Sequence, residues 1–312
     1  GTVKALGQYV GLFGATINAF GDAGGGTVLV GGDFQGKNPE VQNAFRTYVS
    51  ADSTINADAL TNGNGGKVIV WADDVTRYYG NITARGGAQG GDGGFVEVSG
   101  KHYLDFNGMV DTSAPMGIVG TLLLDPDDIT INNTADSNIT NTVGVFTSTD
   151  TNASTLLWST INTQLGTTNV EVKTTNAGDI TIGAAGNIAG TAGRELFLNA
   201  ADQVKIDNSI TITTNATNLK FTGANGINLG ANVTSAGGSI TFTSATTLTA
   251  NSTLDAGGGS INLASTVNGG FALDVNTTGA TTFGNVVGGV TPLTSLTTNA
   301  GGTTTLTGSV TT

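Results

Sequence analysis

Charged side chains that could perform acid–base chemistry are concentrated between positions 73 and 105. Polysaccharide lyases and hydrolases need carboxylates and cations grouped on one face. The residue types that fit are found at Asp73, Asp74, Arg77, Arg85, Glu97, Lys101 and Asp105. The same types occupy solvated turns, and Glu97 alternates with Val96 and Val98, which predicts an outward position. No acidic pair recurs at a fixed spacing, so we expect no catalytic residue and no enzymatic activity.

The residue types also argue against nucleophilic catalysis. The chain has no cysteine and one histidine, His102, next to Lys101 and Tyr103. A thiolate metal site is therefore excluded, and a catalytic triad is disfavoured. We expect His102 to lie exposed at the start of a strand.

Two stretches carry oxygen ligands that suit Ca²⁺. The acidic run Asp125, Asp127 and Asp128 could hold the ion, and segment 88–94, around Asp92, resembles one copy of a calcium-binding nonapeptide. That nonapeptide signal needs several tandem copies. We interpret the first stretch as a turn that ends a strand and the second as a flexible turn. No metal or cofactor is expected.

Aromatic residues could form a strip that stacks on sugars. The candidates are Trp71, Tyr78, Tyr79 and Tyr103. Trp71 follows a buried-strand pattern, so packing at a corner of the fold is the better explanation for it.

The net charge of the chain excludes some partners. The 312 residues carry a net charge of −12, with a pI of about 4.2. Nucleic acid requires a basic stripe, and anionic membranes would repel this chain. No apolar run approaches the ~20 residues of a spanning helix.

The secondary structure of the chain is predicted from a repeat in its second half. Apolar pairs recur every 21 residues: Ile212 and Phe221, Val233 and Phe242, Leu254 and Leu263, Val275 and Phe283. Within each repeat, apolar residues alternate with Thr, Ser or Asn, as in strands with one buried face. Short strands with Gly turns at a fixed period predict stacked coils. Residues 179–312 are therefore expected to form coils of about 21 residues.

The first third predicts longer coils. Four segments align, three of which begin with a Gly pair: Gly25–Val30, Gly65–Val70, Gly93–Val98 and Val119–Leu124. A second aligned set contains Ile17, Ile55, Ile82 and Val110. Residues 1–125 are expected to form about four coils of 26–28 residues. The segment 32–45 is an insertion that should loop out of the stack.

The segment 126–178 breaks both patterns. Residues 132–152 are rich in Asn, Thr, Ser and Asp and predict an irregular excursion. Leu157, Ile161 and Leu165 recur at four-residue spacing, which predicts a short amphipathic helix near 154–165. Asn152 or Ser154 could cap this helix, and Gly166 could end it. Trp158 and Leu157 should cover a flank or seam of the solenoid.

Three segments resemble a known family. They are Gly65–Asp74, Gly93–Lys101 and Gly120–Ile131, and they are similar to the repeat region of filamentous-haemagglutinin-type two-partner secretion exoproteins. The resemblance implies an all-β fold, a right-handed parallel β-helix (solenoid), outside the cell. It also implies an outer-membrane barrel transporter as partner. No stretch matches the secretion domain of that family, so this export route is expected of a longer parent protein.

These observations lead to a structural function. We expect an extracellular β-helical rod with one short helical insertion, serving as an adhesin shaft or as a head-to-tail filament subunit on the bacterial surface. Self-association would join residues 1–10 to residues 306–312, unless the solenoid continues in a longer chain. Two alternatives remain: a β-helical carbohydrate-active enzyme, and a passive carbohydrate-binding adhesin with its aromatic strip near Trp71 to Tyr103.

Overall fold

The computed structural model describes residues 1–134, 154–299 and 301–312. These residues form a parallel β-solenoid of about 11 turns with a single short α-helix, which confirms the expected fold class. They divide into two compact units. The first unit comprises residues 1–128, 154–156 and 166–171, and the second comprises 129–134, 157–165 and the described part of 172–312.

The first unit is built from coils of three strands each. Its strands, in chain order, are β1 Thr2–Ala5, β2 Tyr9–Leu12, β3 Thr16–Asn18, β4 Thr27–Val30, β5 Arg46–Val49, β6 Thr54–Asn56, β7 Lys67–Ala72, β8 Val75–Tyr78, β9 Asn81–Thr83, β10 Phe95–Gly100, β11 Tyr103–Phe106, β12 Met109–Asp111 and β13 Thr121–Leu124. They form three parallel sheets, with the orders β1-β4-β7-β10-β13, β2-β5-β8-β11 and β3-β6-β9-β12. A 3-10 turn spans Phe34–Gly36.

The interior of the first unit consists of apolar columns. The two aligned sets expected from the sequence are in register, with Val28 opposite Val68 and Ile55 opposite Ile82. A third column lies on β5, β8 and β11, where the rings of Tyr78 and Phe106 stack at 5.7 Å. Each buried apolar side chain contributes roughly 1.5–3 kcal/mol of transfer free energy, so stacking coils stabilises what a single coil could not.

The Gly pairs of the sequence occupy one corner of the coil. The N–H of the second glycine donates a hydrogen bond to a carbonyl oxygen in the same coil, just after the preceding strand. Gly66 donates to Ala57 and Gly94 donates to Ala84, each at 2.7 Å. A Cβ added at Gly66 would overlap the carbonyl oxygen of Gly26 in the neighbouring coil. The corner therefore requires glycine because backbone meets backbone there.

The insertion was expected to loop out of the stack, and this expectation is wrong. Strands β4 and β7, before and after it, stay in register. The inserted segment, residues 32–45, folds back over the outer face of the first sheet. Its Val41 joins a buried apolar cluster with Leu29, Ile69 and Trp71. Hydrophobic burial on an outward face explains this return.

The remaining strands are β14 Ile129–Asn132, β15 Ser154–Leu157, β16 Asn169–Lys173, β17 Ile180–Ile182, β18 Gly186–Ile188, β19 Glu195–Ala200, β20 Val204–Ile206, β21 Ile210–Ile212, β22 Asn218–Gly223, β23 Ile227–Leu229, β24 Val233–Thr234, β25 Ile240–Phe242, β26 Thr246–Leu248, β27 Ser252–Gly257, β28 Ile261–Leu263, β29 Val267–Asn268, β30 Ala272–Thr277, β31 Ala280–Phe283, β32 Ser295–Thr298 and β33 Thr303–Leu306. Three sheets of the second unit run through β19-β22-β25-β28-β31-β33, β14-β17-β20-β23-β26-β29 and β18-β21-β24-β27-β30-β32.

The expected 21-residue register is found only in the middle of the second unit, between β22 and β30. The earlier coils are longer: Ile180 pairs with Val204, 24 residues on, and Leu196 pairs with Leu219, 23 residues on. Phe221 pairs with Phe242, and their rings stack at 4.9 Å. Val233 pairs with Leu254 as expected. The alignment of Ile212 with Val233 is wrong, because Ile210 is the partner of Val233. Counted between paired positions, the chain from Ile210 to Leu219 is two residues longer than the chain from Val233 to Ile240, which shifts the pairing.

Asparagine side chains add rungs at one corner of the second unit. The Oδ1 atoms of Asn232 and Asn251 accept hydrogen bonds from the N–H groups of Thr253 and Ala272, each at 2.9 Å. Each bond joins one coil to the next, so the ladder extends beyond the strands.

The helix, α1, spans Trp158–Leu165 and ends just before Gly166, as expected. It begins later than the predicted 154–165, because Ser154–Leu157 form β15. Ser154 does not cap it: its N–H donates to Asp128 O and its Oγ accepts from Leu104 N–H, each at 3.0 Å. The other proposed cap, Asn152, lies outside the described residues, as does most of the segment expected to be irregular.

Trp158 covers a flank of the second unit, as predicted. Its indole N–H donates to Ala184 O at 2.9 Å, and a Cβ at Gly186 would overlap its ring. Leu157 instead belongs to β15. No helix within the described part of the chain is long and apolar enough to cross a bilayer.

Candidate functional site

The inserted segment is held on the first unit by buried carboxylates. The N–H of Gln35 lies 3.2 Å from both carboxylate oxygens of Glu97, and its Nε2 donates to Asp125 Oδ2 at 2.6 Å. Lys37 Nζ donates to Gln35 Oε1 at 2.7 Å. Glu97 lies on the outer face, as its alternation predicts. The expectation that Glu97 is solvated is wrong, because the inserted segment buries it completely.

Beside the inserted segment lies an open groove of about 810 Å³. Its floor is the corner of stacked Gly pairs. One side is an outward column in register across four coils: Thr27, Lys67, Phe95 and Thr121. Phe34 from the inserted segment also lines the groove. The feature arises from the coil repeat and the insertion together.

An ion pair neutralises the cation of this groove. Lys67 Nζ lies 2.7 Å from Asp33 Oδ1, and Asp33 also accepts from the N–H of Phe34 and from Asn38 Nδ2, each at 2.8 Å. Burial raises the pKa of Asp33, but the hydrogen bonds from Asn38, Lys67 and Phe34 outweigh it and lower the pKa to about 2. Asp33 is therefore a charged structural anchor at neutral pH.

The Phe34 ring is partly exposed, and contacts with Phe95 and Lys67 fix its position. It is 40% exposed. It meets Phe95 edge-on, with 5.8 Å between ring centroids, and Lys67 Nζ lies 5.9 Å from its centroid. Sequence reasoning missed Phe34 because it is one aromatic residue in a segment without periodicity. The available signal for a groove at this position was the Gly pairs at 25–26 and 65–66, before and after the insertion.

A second aromatic group lies on the outer face of the second sheet. Phe13 and Tyr48 stack at 5.2 Å, and Tyr48 meets Tyr79 edge-on at 5.8 Å. The Tyr79 hydroxyl donates to Asp105. Burial raises the pKa of Asp105, and Tyr79 and Arg77 partly offset that rise. Two of the candidate acid–base residues, Arg77 and Asp105, are thus neighbours.

The alternative of an aromatic strip from Trp71 to Tyr103 is wrong, and Trp71 is a packing residue, as expected. Trp71, Tyr78 and Tyr103 are 2%, 0% and 1% exposed, so their faces cannot stack on a sugar. Trp71 packs under the inserted segment, and its indole N–H donates to Asp73 Oδ1 at 3.0 Å. Of the four candidates, Tyr79 alone is partly accessible.

The other candidate acid–base residues are dispersed in separate contacts. Asp74 pairs with Arg46 at 2.7 Å, and Arg85 pairs with Asp58 at 2.7 Å. Asp58 and Arg85 line a smaller cleft of about 290 Å³. Lys101 contributes its backbone N–H to Ala72 O at 2.9 Å.

The candidate calcium ligands do not converge. Asp125 bonds to Gln35 beneath the inserted segment, whereas Asp127 Oδ2 lies 2.7 Å from His102 Nδ1. Among the described residues no three acidic or histidine side chains are grouped to hold a metal ion. Asp92 Oδ1 accepts the N–H of Ile118 at 2.8 Å, which is the structural role of a turn. The His102 side chain is 59% exposed, as expected.

A scan against protein-family models and a search of curated proteins found no match to this chain.

Proposed function

We propose that this chain is a structural protein, in which stacked β-coils serve as an adhesin shaft or as a head-to-tail filament subunit on a bacterial surface. The export partner would be an outer-membrane barrel transporter acting on a parent protein. The sequence resemblance to filamentous-haemagglutinin-type exoproteins supports the location and the export route.

One observation carries the structural role: the parallel ladders continue in register from coil to coil in each unit. In the second unit, one sheet joins six strands from β19 to β33. A backbone ladder resists bending and shear because many hydrogen bonds must break together. Local contacts between neighbouring coils are the source of stability in such repeats.

The edge strands support assembly. Strand β1 and strand β33 are each the outermost described strand of a sheet, and β33 is exposed throughout. An unpaired strand edge offers N–H and C=O groups to another strand. In this proposal, the next coil comes from a second copy or from a continuation of the chain.

Electron microscopy and sedimentation over a range of protein concentrations test the assembly. We expect fibres whose repeat matches one subunit, and we expect Thr304→Lys with Thr305→Lys to shorten them by placing charges on β33. Thr211→Lys, on the outer face of β21, is the control and should leave fibres intact. If the particles stay monomeric at every concentration, the filament-subunit version of the proposal is wrong and only the adhesin-shaft version remains. Antibody labelling of intact cells tests the location.

A carbohydrate-active enzyme is the alternative from another class. The neighbouring Arg77 and Asp105 are the arrangement that favours it. An assay of acidic-polysaccharide turnover by the unaltered chain and by Asp105→Asn tests whether the protein is such an enzyme. Turnover by the unaltered chain that Asp105→Asn abolishes would replace the structural proposal.

A further inference from the structure

The floor of the groove beside the inserted segment is mostly glycine: Gly pairs in three coils and Val119–Gly120 in the fourth. Strand spacing of ~4.8 Å gives the four rungs a length of roughly 14 Å. Backbone atoms of the neighbouring coil occupy the space that a Cβ would need at Gly65 and Gly93. The floor therefore stays smooth, and a ring-shaped ligand can lie against it.

The apolar wall of this groove is a rigidly placed aromatic ring. The N–H of Phe34 donates to Asp33, and the next residue, Gln35, is fixed by Glu97 and Asp125. Leaving a phenylalanine 40% exposed gains little from burial. An exposed hydrogen bond from its own N–H and two buried hydrogen bonds of the adjacent Gln35 nevertheless hold this part of the chain. Such a ring offers its face to the C–H groups of a ligand, with a small entropy cost on binding.

The polar side of the groove suits hydroxyl groups. Lys67 has three N–H donors, and one is directed to Asp33 at 2.7 Å. Thr27 and Thr121 stand above and below it in the same column, with Phe95 between Lys67 and Thr121. These groups donate to and accept from hydroxyls at strand spacing.

The charge of the groove selects against anions. Asp33 neutralises Lys67, and the chain as a whole carries −12. Phosphate, sulfate and uronate groups would meet a repulsive field without a compensating cation. A neutral polyhydroxylated ligand meets no such penalty.

We propose that this groove binds a neutral oligosaccharide, with one sugar ring stacked on Phe34 and its hydroxyls bonded to Lys67 and the flanking threonines. This activity goes beyond the structural role of the coils. It would give a shaft a lateral contact with glycans of a cell wall or a host surface.

The test uses the full chain against immobilised neutral oligosaccharides of glucose, mannose, galactose and xylose, and against hyaluronan and heparin fragments. Calorimetry then measures the dissociation constant of the best neutral binder. We expect Phe34→Ala to raise the dissociation constant about 10-fold, since one aromatic contact is worth about 1.4 kcal/mol. Phe34→Tyr should retain binding. Phe20→Ala, an exposed phenylalanine outside the groove, is the matched control.

Lys67→Met keeps the aliphatic stem and removes the donors, so it provides a second variant if Phe34→Ala disturbs the inserted segment. It should also weaken neutral binding. Three results would overturn the proposal: no neutral oligosaccharide binds, both variants bind as tightly as the unaltered chain, or the acidic fragments bind more tightly with strong salt dependence. Dimerisation lost in Phe34→Ala without any sugar binding would assign the groove to a second copy instead.

Discussion

The backbone N–H of Gln35 lies 3.2 Å from each carboxylate oxygen of Glu97. Gln35 adopts a φ of +54°, which non-glycine residues rarely occupy. The strained conformation is tolerated because it places the side-chain amide on Asp125 while the backbone faces Glu97. This single residue attaches the inserted segment to two coils of the first unit.

Removing the Glu97 carboxylate should loosen the inserted segment. Glu97→Ala leaves the buried N–H of Gln35 without its acceptor, which costs about 2 kcal/mol. Urea unfolding should show this loss, and hydrogen exchange at Gln35 should accelerate. Glu40→Ala, an exposed carboxylate in the same segment, should change neither quantity. Equal effects of both variants would mean that Glu97 does not anchor the segment.

A methyl group at the glycine corner should be poorly tolerated. Gly66→Ala places a Cβ against the carbonyl oxygen of Gly26, which is backbone and cannot rotate away. We expect a loss of more than about 3 kcal/mol of unfolding free energy, or no folded protein. In Gly7→Ala the nearest atom is 3.4 Å away, an ordinary contact. A folded, stable Gly66→Ala would show that the corner can open.

The asparagine hydrogen bonds between coils predict that removing one of them moderately lowers the unfolding free energy of the second unit. Asn232→Ala removes the acceptor for the N–H of Thr253, and we expect about 1 kcal/mol of destabilisation in urea. The comparison is Asn262→Ala, at a central strand position without a described side-chain hydrogen bond. Similar losses in the two variants would assign the effect to the substitution of asparagine itself.

The ion pair at the groove predicts a pH dependence. The pKa of Asp33 is about 2 in the folded chain, against an ordinary value of 3.8. A depressed pKa stabilises the fold above about pH 4, and this stabilisation is lost as the pH falls through about 2. Asp33→Asn should therefore flatten the dependence of unfolding free energy on pH in that window. Asp22→Asn, at an exposed aspartate, should keep the slope of the unaltered chain.

The periodic parts of the fold could be predicted from the sequence. Alternating apolar residues identified the inner columns, because strands have a period of two and coils repeat. The Gly pairs marked the corner, since only glycine fits where two backbones meet. The register of Ile212 was misassigned because a longer corner does not interrupt the apolar alternation.

The candidate site could be predicted much less well. Gln35 reaches Glu97 and Asp125 across 62 and 90 residues, and no local pattern encodes contacts of that separation. Ser154–Leu157 suits both a strand and the first turn of a helix, so spacing alone could not place the start of α1. The exposure of Phe34 follows from the same long-range bonds.

The coil that carries the inserted segment keeps its strand pairs with the following coil, β4 with β7 and β5 with β8. The strand pairing therefore places little constraint on the segment that is inserted between β4 and β5. A lineage could exchange that segment for another while the inner columns remain unchanged. The same position is a natural place to graft a foreign epitope or a peptide ligand, provided that the new segment retains a hydrogen-bonding partner for the carboxylate of Glu97.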